Sequence, residues 1–279
     1  MEKPLVSIII PTYNRLEYLK KAINSALNQT YKNIELIIID DCSGGNAFEN
    51  ILQFCKEYPQ VFVFKNEFNL GFVKTLNKGI ALAHGKYIAR LDDDDTWPDI
   101  QKIEKQVNFL EKNKDYVLVG GGVIKTDKSG KEISRYLLPE TNEDIKKTIL
   151  SSNVFIHSSV LFLKSLCKKA GGYKDEYGFF ADWELWLSIG RFGKFYNFPE
   201  IFVNYLDNDL EKIGNSHDVK IRRRIKESIK MKNNYRNFYP GFNRAIIFSF
   251  LSYLYSFLPF REIFFNQILK IKKVFLKIK

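Results

Sequence analysis

Residues 5–14 read LVSIIIPTYN and carry the clearest fold signal in the sequence. Its apolar run from Leu5 to Ile10 is typical of a strand that is buried on both faces of a sheet. The Pro-Thr-Tyr-Asn turn ends this strand. Apolar residues then recur at helical spacing from Leu16 to Leu27, which predicts an amphipathic helix with Asn14 as its N-cap.

The same alternation of strand and helix continues along the chain. Further buried strands are predicted at Ile34–Ile39, Val61–Phe64 and Tyr87–Leu91, and the clearest helical pattern between them covers 72–84. This alternation predicts an α/β fold with a mostly parallel central sheet flanked by helices.

Two more strands are predicted beyond this unit. Val117–Val123 contains three consecutive glycines, which indicate a close approach of the backbone to a neighbour, and Lys131–Leu138 follows a Lys-Ser-Gly turn as its partner strand.

Charge divides the chain of 279 residues into two parts. The net charge is +11, yet residues 219–279 alone hold 15 Lys or Arg and 2 Asp or Glu, so residues 1–218 are nearly neutral. We therefore predict a catalytic domain over 1–218 and a basic amphipathic helical tail over 219–279. Three irregularly spaced cysteines exclude a disulfide framework, and no secretory signal is visible, which favours a reducing cytosol.

Polar clusters follow three of the predicted strands. In a parallel sheet, ligands bind beyond the carboxyl ends of the strands. The first strand is followed by neither a glycine-rich dinucleotide fingerprint nor a P-loop. Tyr13 is placed to stack on a base, and Asp40 or Asp41 to accept a hydrogen bond from a base or a ribose. A turn with a satisfied aspartate explains Asp40 equally well.

The run Asp92–Asp95 is the strongest chemical signal in the sequence. Four consecutive carboxylates after a buried strand repel one another unless a cation joins them. Mg²⁺ or Mn²⁺, which prefer oxygen ligands, are the natural partners. The alternative is a solvated acidic loop that favours the N-terminus of the next helix.

Seven motifs in this order resemble the family-2 glycosyltransferases of the nucleotide-diphospho-sugar transferase fold, in particular the bacterial surface-polysaccharide type. The resemblance covers residues 5–206, with motifs VSIIIPTYN (6–14), IIIDDCS (37–43), NLG (69–71), LNKG (76–79), AHGKYIA (83–89), LDDDDTW (91–97) and GGY (171–173) followed by DWELW (182–186).

The resemblance implies a metal-dependent, inverting transfer of a sugar from a nucleotide-diphospho-sugar, most often a UDP-sugar, to a hydroxyl of a saccharide or glycolipid. The cofactor would be Mn²⁺ or Mg²⁺, and the role would be surface polysaccharide or lipopolysaccharide biosynthesis. Asp182 matches the general base of the family. The expected donor-binding residues are Pro11, Thr12, Tyr13, Asn14, Asp40, Asp41, Lys74, Asp92 and Asp93.

The expected metal ligands are Asp92, Asp94 and Asp95, with His217 closing the site from a C-terminal loop. The expected acceptor-side residues are His157, Trp183 and Glu184.

Two departures from the family pattern motivate an alternative. Leu76 stands where the family often has Arg, so that Lys74 would neutralise the phosphates, and Ala181 stands where it often has Glu. An inactive subunit that positions a partner enzyme at the membrane would tolerate both changes. A second alternative is an aspartyl-phosphate phosphatase that uses Asp92 as its nucleophile. For Asp182, the structural alternative is an N-cap.

The tail predicts a partner as well. Ala245–Phe260 is uncharged but too short to span a bilayer, and Ile263–Lys279 combines apolar residues with lysines as an interfacial helix does. A basic helix over 219–236 adds a second cationic stripe. We expect a cytoplasmic protein, peripheral on the inner face of the cell membrane through anionic lipid, with no nucleic acid partner. The alternative is docking of the tail onto the catalytic body or onto a twin subunit in a homodimer.

Overall fold

The structure, a computed structural model, describes residues 3–207 and 215–257, with side chains in the second range from residue 222. The strands are β1 (Val6–Thr12), β2 (Ile34–Asp40), β3 (Val61–Lys65), β4 (Tyr87–Arg90), β5 (Tyr116–Thr126), β6 (Glu132–Tyr136), β7 (Leu161–Leu163) and β8 (Lys194–Leu206). The helices are α1 (Leu16–Leu27), α2 (Ala47–Cys55), α3 (Phe72–Leu82), α4 (Lys102–Lys112), α5 (Asn142–Thr148), α6 (Lys164–Ala170), α7 (Ala181–Ile189), α8 (Asn215–Asn234) and α9 (Phe242–Tyr255).

All eight strands form one sheet in the order β3-β2-β1-β4-β7-β5-β6, with β8 paired alongside β5. The first four strands in this order are parallel, β7 is antiparallel to both of its neighbours, and β8 is parallel to β5. The prediction of a mostly parallel sheet flanked by helices is confirmed.

Two apolar cores explain why β1 has so few polar residues. Val6, Ile8 and Ile10 face one core together with α1, while Ile9 faces a second core on the opposite side of the sheet. Each of these four side chains is at most 1% exposed. A strand covered by helices on both faces must be apolar at successive positions.

The predicted N-cap of α1 is wrong. Asn14 adopts a left-handed backbone conformation with φ of 56°, and Arg15 occupies the position before the helix. The Asn14 side chain instead accepts a hydrogen bond from the Gly44 backbone N–H at 2.9 Å. The backbone N–H of Asn14 donates to the Ser43 hydroxyl at 2.8 Å. Asn14 therefore joins the loops after β1 and β2, because its amide reaches a donor on the neighbouring loop.

The predicted pairing of the fifth and sixth strands is confirmed, since β5 and β6 are antiparallel neighbours. The close backbone approach at the glycines is present as well. A Cβ at Gly120 would overlap the Asn197 side chain, and one at Gly121 would overlap the Phe202 ring. Both partners belong to β8, which explains how β8 fits so closely along β5.

The C-terminal helices pack onto the catalytic body. Met231, Tyr235, Tyr239 and Ala245 are at most 5% exposed and share a core with α7. The Tyr239 hydroxyl donates to the Leu187 carbonyl at 2.6 Å. The predicted domain boundary between residues 218 and 219 lies inside α8, which begins at residue 215. The boundary therefore stays a prediction.

Two findings concern membranes. None of the helices in the described ranges is long and apolar enough to cross a bilayer. The predicted interfacial segment Ile263–Lys279 lies outside the described residues.

Candidate functional site

The ends of β1, β2 and β4 meet at one edge of the sheet. The Thr12 carbonyl accepts a hydrogen bond from the Asp41 backbone N–H at 2.9 Å, which links β1 to the loop after β2. The Thr12 hydroxyl donates to Asp93 at 2.8 Å, which links β1 to the loop after β4. The three polar clusters predicted from the sequence are therefore neighbours.

The β1 end offers one side chain to a ligand. Pro11 and Thr12 are buried, whereas Tyr13 is 48% exposed. An exposed aromatic ring at the carboxyl edge of a parallel sheet is suited to stack on a planar base.

The two aspartates after β2 are held differently. Asp41 accepts hydrogen bonds from the Asn66 side chain at 2.7 Å and from the backbone N–H groups of Leu70 and Gly71 at 2.8 and 2.9 Å. These donors shape the loop that leads into α3. Both oxygens of Asp40 share the Ser43 N–H at 3.2 Å, so Asp40 has unused acceptor capacity, but its side chain is fully buried.

The aspartate run after β4 is paired with two guanidinium groups in the described part of the chain. Arg90 contacts Asp92 at 2.5 Å, and Arg15 contacts Asp94 at 2.6 Å and Asp93 at 3.3 Å. Arg90 is 1% exposed, so its guanidinium charge is buried with its partner groups and not in contact with solvent. Four carboxylates thus share two cations.

The pKa values follow from this imbalance. Burial raises the pKa of Asp92, but Arg90 together with weaker contributions from its other neighbours, among them the Ser158 hydroxyl and Arg15, lowers it overall. Burial and the neighbouring Asp92 raise the pKa of Asp94 to about 6 in spite of Arg15. A divalent cation fits here because it would relieve the remaining repulsion.

The described residues do not form a complete metal cage by themselves. Within residues 3–207 and 215–257, no group of three or more His, Cys, Asp or Glu is arranged to hold a metal ion. Mg²⁺ and similar ions are commonly bound by one or two carboxylates together with substrate phosphates. The side chains of Asp92 and Asp94 are 24% and 18% exposed, which leaves both accessible to such an ion.

A short 3-10 turn, His157–Ser159, holds the aspartate run from the other side. The Ser158 hydroxyl accepts the Asp92 N–H at 3.0 Å and donates to Asp95 at 2.5 Å. Asp95 is 1% exposed, and its other oxygen accepts the Leu206 N–H at 3.3 Å. The predicted metal ligand Asp95 therefore connects the run to this turn and to β8.

Two side chains fix the backbone of this turn. The Trp97 indole N–H donates to the Ser158 carbonyl at 2.7 Å, and the Gln106 amide donates to the Ser159 carbonyl at 2.8 Å. Lys102, which is fully buried, donates to Gln106 at 2.9 Å and lies 4.1 Å from the centre of the Trp97 ring.

His157 faces the aspartate run as a neutral side chain. Its Nε2 lies 2.8 Å from the Tyr173 hydroxyl, and its Nδ1 lies 3.9 Å from Asp92. Burial and the charge of Arg90 lower its pKa to about 3. The ring also meets Phe72 edge-on at 5.7 Å, and Phe72 is 48% exposed.

Asp182 lies in the first turn of α7 and is not its N-cap, since Phe180 precedes the helix. Its carboxylate accepts the Trp183 N–H at 2.6 Å and the Asn153 side-chain N–H at 2.8 Å. Burial raises its pKa to about 6, and the charge of Asp92 contributes in the same direction. Asp182 therefore lies within electrostatic reach of the aspartate run.

Two predicted acceptor-side residues face the interior instead. Trp183 is 6% exposed, and its indole N–H donates to the Ile149 carbonyl at 2.7 Å. Glu184 is fully buried, and its carboxylate pairs with Lys174 at 2.5 Å and accepts a hydrogen bond from Tyr235. Their prediction as acceptor contacts is corrected accordingly, because both side chains attach α7 to its neighbours.

Of the two remaining predicted residues, Lys74 has no close contact with the aspartate run among the described residues. Lys74 is 60% exposed and lies 3.8 Å from Asp175. His217 falls in α8, but its side chain lies outside the described part.

Four residues at the site were missed from the sequence, namely Arg15, Arg90, Asn153 and Ser158. Arg90 had a usable signal, because it is the charged residue in an otherwise apolar strand that leads into four carboxylates. Arg15 also had a usable signal, because it directly follows the polar turn at the end of the first strand. Asn153 and Ser158 have no local signal, since their partners are 29 and 66 residues away.

Comparison with known protein families matches residues 7–171 to Glycosyl transferase family 2. Among curated relatives, a glycosyltransferase of Haemophilus influenzae without a characterised activity is 30% identical over 239 residues, which are 80% of this chain and 72% of the relative. A Bacillus subtilis protein named as the glycosyltransferase EpsE is 34% identical over 233 residues, or 81% of this chain and 78% of the relative.

Solved structures share the fold. The mannosyltransferase PcManGT from Pyrobaculum calidifontis, in complex with GDP-Man and Mn²⁺, aligns with a TM-score of 0.67 at 15% identity, covering 91% of this chain and 72% of its own. Staphylococcus aureus TarS in complex with UDP aligns with a TM-score of 0.60 at 17% identity, covering 83% and 70%. The family match covers more than half of the chain and includes the strand ends that form the site, so this chain belongs to glycosyltransferase family 2.

Proposed function

We propose that this chain is an inverting, metal-dependent transferase that moves a sugar from a nucleotide-diphospho-sugar to a hydroxyl of a saccharide or glycolipid. UDP is the proposed nucleotide, and the product would belong to a surface polysaccharide or lipopolysaccharide. The observation that carries this proposal is the aspartate run at the carboxyl edge of the sheet. The Thr12 hydroxyl joins this run to the β1 end, and Arg90 and Arg15 leave its four carboxylates short of positive charge.

The proposed metal would be held by Asp92 and Asp94, with Asp95 fixing the run from inside and His217 as a further proposed ligand. A bound Mn²⁺ or Mg²⁺ would neutralise the charge that develops on the departing nucleotide diphosphate. Asp93 is held by the Thr12 hydroxyl and by Arg15, so the run stays aligned with the β1 end.

Asp182 would act on the acceptor. A sugar hydroxyl is a weak nucleophile, and its proton must leave as the new C–O bond forms at the anomeric carbon. A carboxylate with a pKa of about 6 is ionised at neutral pH and basic enough to take this proton. Because a single displacement comes from the face opposite to the leaving group, the anomeric configuration inverts.

Tyr13 and Asp40 would bind the nucleotide. Tyr13 is exposed for stacking, and Asp40 has acceptor capacity for a base or ribose group. His157 and Phe72 line the same region, and a neutral imidazole beside an exposed ring suits contact with a sugar.

The fold neighbours support the donor class. PcManGT was solved with GDP-Man and Mn²⁺, and TarS with UDP and with UDP-GlcNAc. These ligands belong to those proteins, and they define the donors that a first assay of this chain should include.

Family membership removes the phosphatase alternative. The inactive-subunit alternative loses part of its motivation, because Leu76 and Ala181 are 0% and 2% exposed. Both departures from the family pattern therefore face the protein interior, where a cation or carboxylate would need a buried partner.

The test is nucleotide release from UDP-, GDP- and dTDP-sugars in the presence of Mn²⁺, Mg²⁺ or EDTA. We expect slow, metal-dependent release from one donor, with water replacing the acceptor. Asp94→Asn should abolish it, whereas Glu143→Gln, a surface carboxylate on α5, should not.

Absence of release from every donor would be followed by calorimetry with UDP and Mn²⁺. Binding without release would indicate that an acceptor is obligatory. Absence of binding would establish the inactive subunit and overturn the proposed function.

A further inference from the structure

Helix α9 exposes its large apolar residues, whereas an ordinary surface helix buries them. The side that packs against the rest of the protein carries small residues, Ala245 and Ser249 in the helix and Ser256 directly after it, which are at most 5% exposed. The exposed side carries large apolar residues with exposures from 48% to 59%, namely Ile247, Phe250, Leu251 and Leu254 in the helix and Phe257 two residues after its end. In α1, by contrast, the apolar residues Leu19, Ala22, Ile23 and Ala26 all face inward.

The outward residues form one continuous stripe. Counted from Ile247, they follow at three, four, seven and ten positions, which is the spacing of one helix face. Isolated exposed apolar side chains are ordinary, but a contiguous apolar face marks an interaction site. We call these five residues the α9 stripe.

Cations border the α9 stripe. The Arg222 guanidinium lies 3.8 Å from the centre of the Phe257 ring and donates to the Ser256 carbonyl at 3.0 Å. The Lys226 ammonium lies 5.7 Å from the Tyr253 ring. These contacts place positive charge beside the C-terminal end of the stripe.

The segment that carries the stripe is rich in positive charge. Residues 222–257 contain eight Lys or Arg and one acidic residue, Glu227. Glu227 pairs with Arg223 at 2.8 Å, and the Arg223 side chain is 81% exposed. An apolar face with a cationic border is complementary to a surface with an apolar interior and an anionic border.

We propose that the α9 stripe and its bordering cations dock onto an anionic lipid surface, with α9 lying in the plane of the interface. Since α9 has 14 residues and is not long enough to cross a bilayer, insertion of one face is the geometry that remains for a lipid contact. Lipid is favoured over a neutral protein partner because excess positive charge assists binding to anionic headgroups.

This inference is independent of the proposed function, since the stripe contains none of the residues placed at the strand ends. Its test uses the full-length chain and sedimentation with vesicles of phosphatidylcholine alone or with phosphatidylglycerol. The variant is Phe250→Gln with Leu254→Gln. The matched control is Ile133→Gln, which removes a comparably exposed apolar residue, 48% exposed, on β6.

Wild-type protein should bind the anionic vesicles and lose binding at high salt. The double variant should bind about tenfold less or weaker still, and the control should bind normally. Nucleotide-sugar hydrolysis without vesicles should be equal in all three. Equal binding of wild type and double variant, or equal binding to neutral and anionic vesicles, would overturn the proposal.

The emission of a polarity-sensitive fluorophore attached to the cysteine of a Leu251→Cys variant distinguishes lipid from other groups that could cover the α9 stripe. Wild-type protein treated with the same label gives the background signal. Lipid docking predicts a blue shift on addition of anionic vesicles. A shift already present without vesicles would show that the stripe is covered by residues 258–279 or by a second copy. Sedimentation equilibrium distinguishes these two outcomes, and either would overturn the lipid proposal.

Discussion

The two groups of carboxylates at the site are stabilised in opposite ways. Asp92 and Asp94 each contact a guanidinium group, from Arg90 and Arg15 respectively. Asp182 is held by two neutral N–H donors, from Trp183 and Asn153. All three side chains are partly buried, so the difference lies in the charge of their partners.

This difference separates two chemical tasks. Arg90 helps to keep Asp92 ionised, whereas the pKa of Asp94 rises to about 6 in spite of Arg15, so a bound cation would be needed to hold both carboxylates ionised and aligned for phosphates. Neutral donors position a carboxylate without fully offsetting the cost of its burial, so the pKa of Asp182 rises to about 6 and the group can exchange a proton near neutral pH. Changes at Asp182, Asn153 and Ser158 test this separation.

Asp182→Asn should lower the transfer rate by about a thousandfold, because an amide of the same shape cannot take the acceptor proton. Calorimetric affinity for UDP with Mn²⁺ should be unchanged, since the substitution leaves the strand ends intact. A transfer rate near that of the wild type would refute the assignment of Asp182 as the base.

The pH profile should report the same group. With saturating donor, metal and acceptor, kcat should be constant above about pH 7 and fall below pH 6, because protonated Asp182 no longer accepts a proton. At pH 5 the expected loss is about tenfold, as one pH unit below a pKa changes the ionised fraction by that factor. A profile that stays flat down to pH 5 would show that no group with this pKa limits the reaction.

Asn153→Ala should move that profile rather than abolish activity. The Asn153 amide stabilises the charged form of Asp182 and so lowers its pKa. Its removal should shift the acidic side of the pH profile, where kcat falls, toward higher pH. The value of kcat should be about threefold lower at pH 6 and little changed at pH 8. If Asn153 only supports folding, the variant would lose activity equally at every pH.

Ser158→Ala should affect stability more than the position of the acid limb. It removes the hydroxyl that joins Asp92 and Asp95, and a buried carboxylate that loses a hydrogen bond costs about 1 kcal/mol or more. The melting temperature should fall by about 3 °C, measured by calorimetry. The acid limb of kcat should stay in place, in contrast to Asn153→Ala.

Most of the sheet could be predicted from the sequence. β1, β2 and β4 lie within two residues of the predicted bounds, because burial on both faces demands unbroken apolar runs that are legible locally. The convergence of Thr12, Asp41 and Asp93 also followed from parallel topology, since carboxyl ends of parallel strands meet at one edge.

The partners of the site residues could not be predicted. Asn14 was expected to cap α1, but the loop after β2 supplies a donor for it. The sequence places Glu184 beside Asp182 as a polar residue at the site. In the structure it is buried, because Lys174 and Tyr235 stabilise its carboxylate. In both cases a contact with a residue distant in sequence outweighs the local pattern, and spacing along one segment carries no information about such contacts.

Helix α7 serves two ends of the molecule. Its first turn carries Asp182, while Glu184 and the Leu187 carbonyl bind Tyr235 and Tyr239, which join α8 to α9. The C-terminal helices are therefore packed onto the same helix that carries Asp182. A shortened chain that ends before residue 215 would expose the back of α7 and loosen the scaffold that aims its carboxylate.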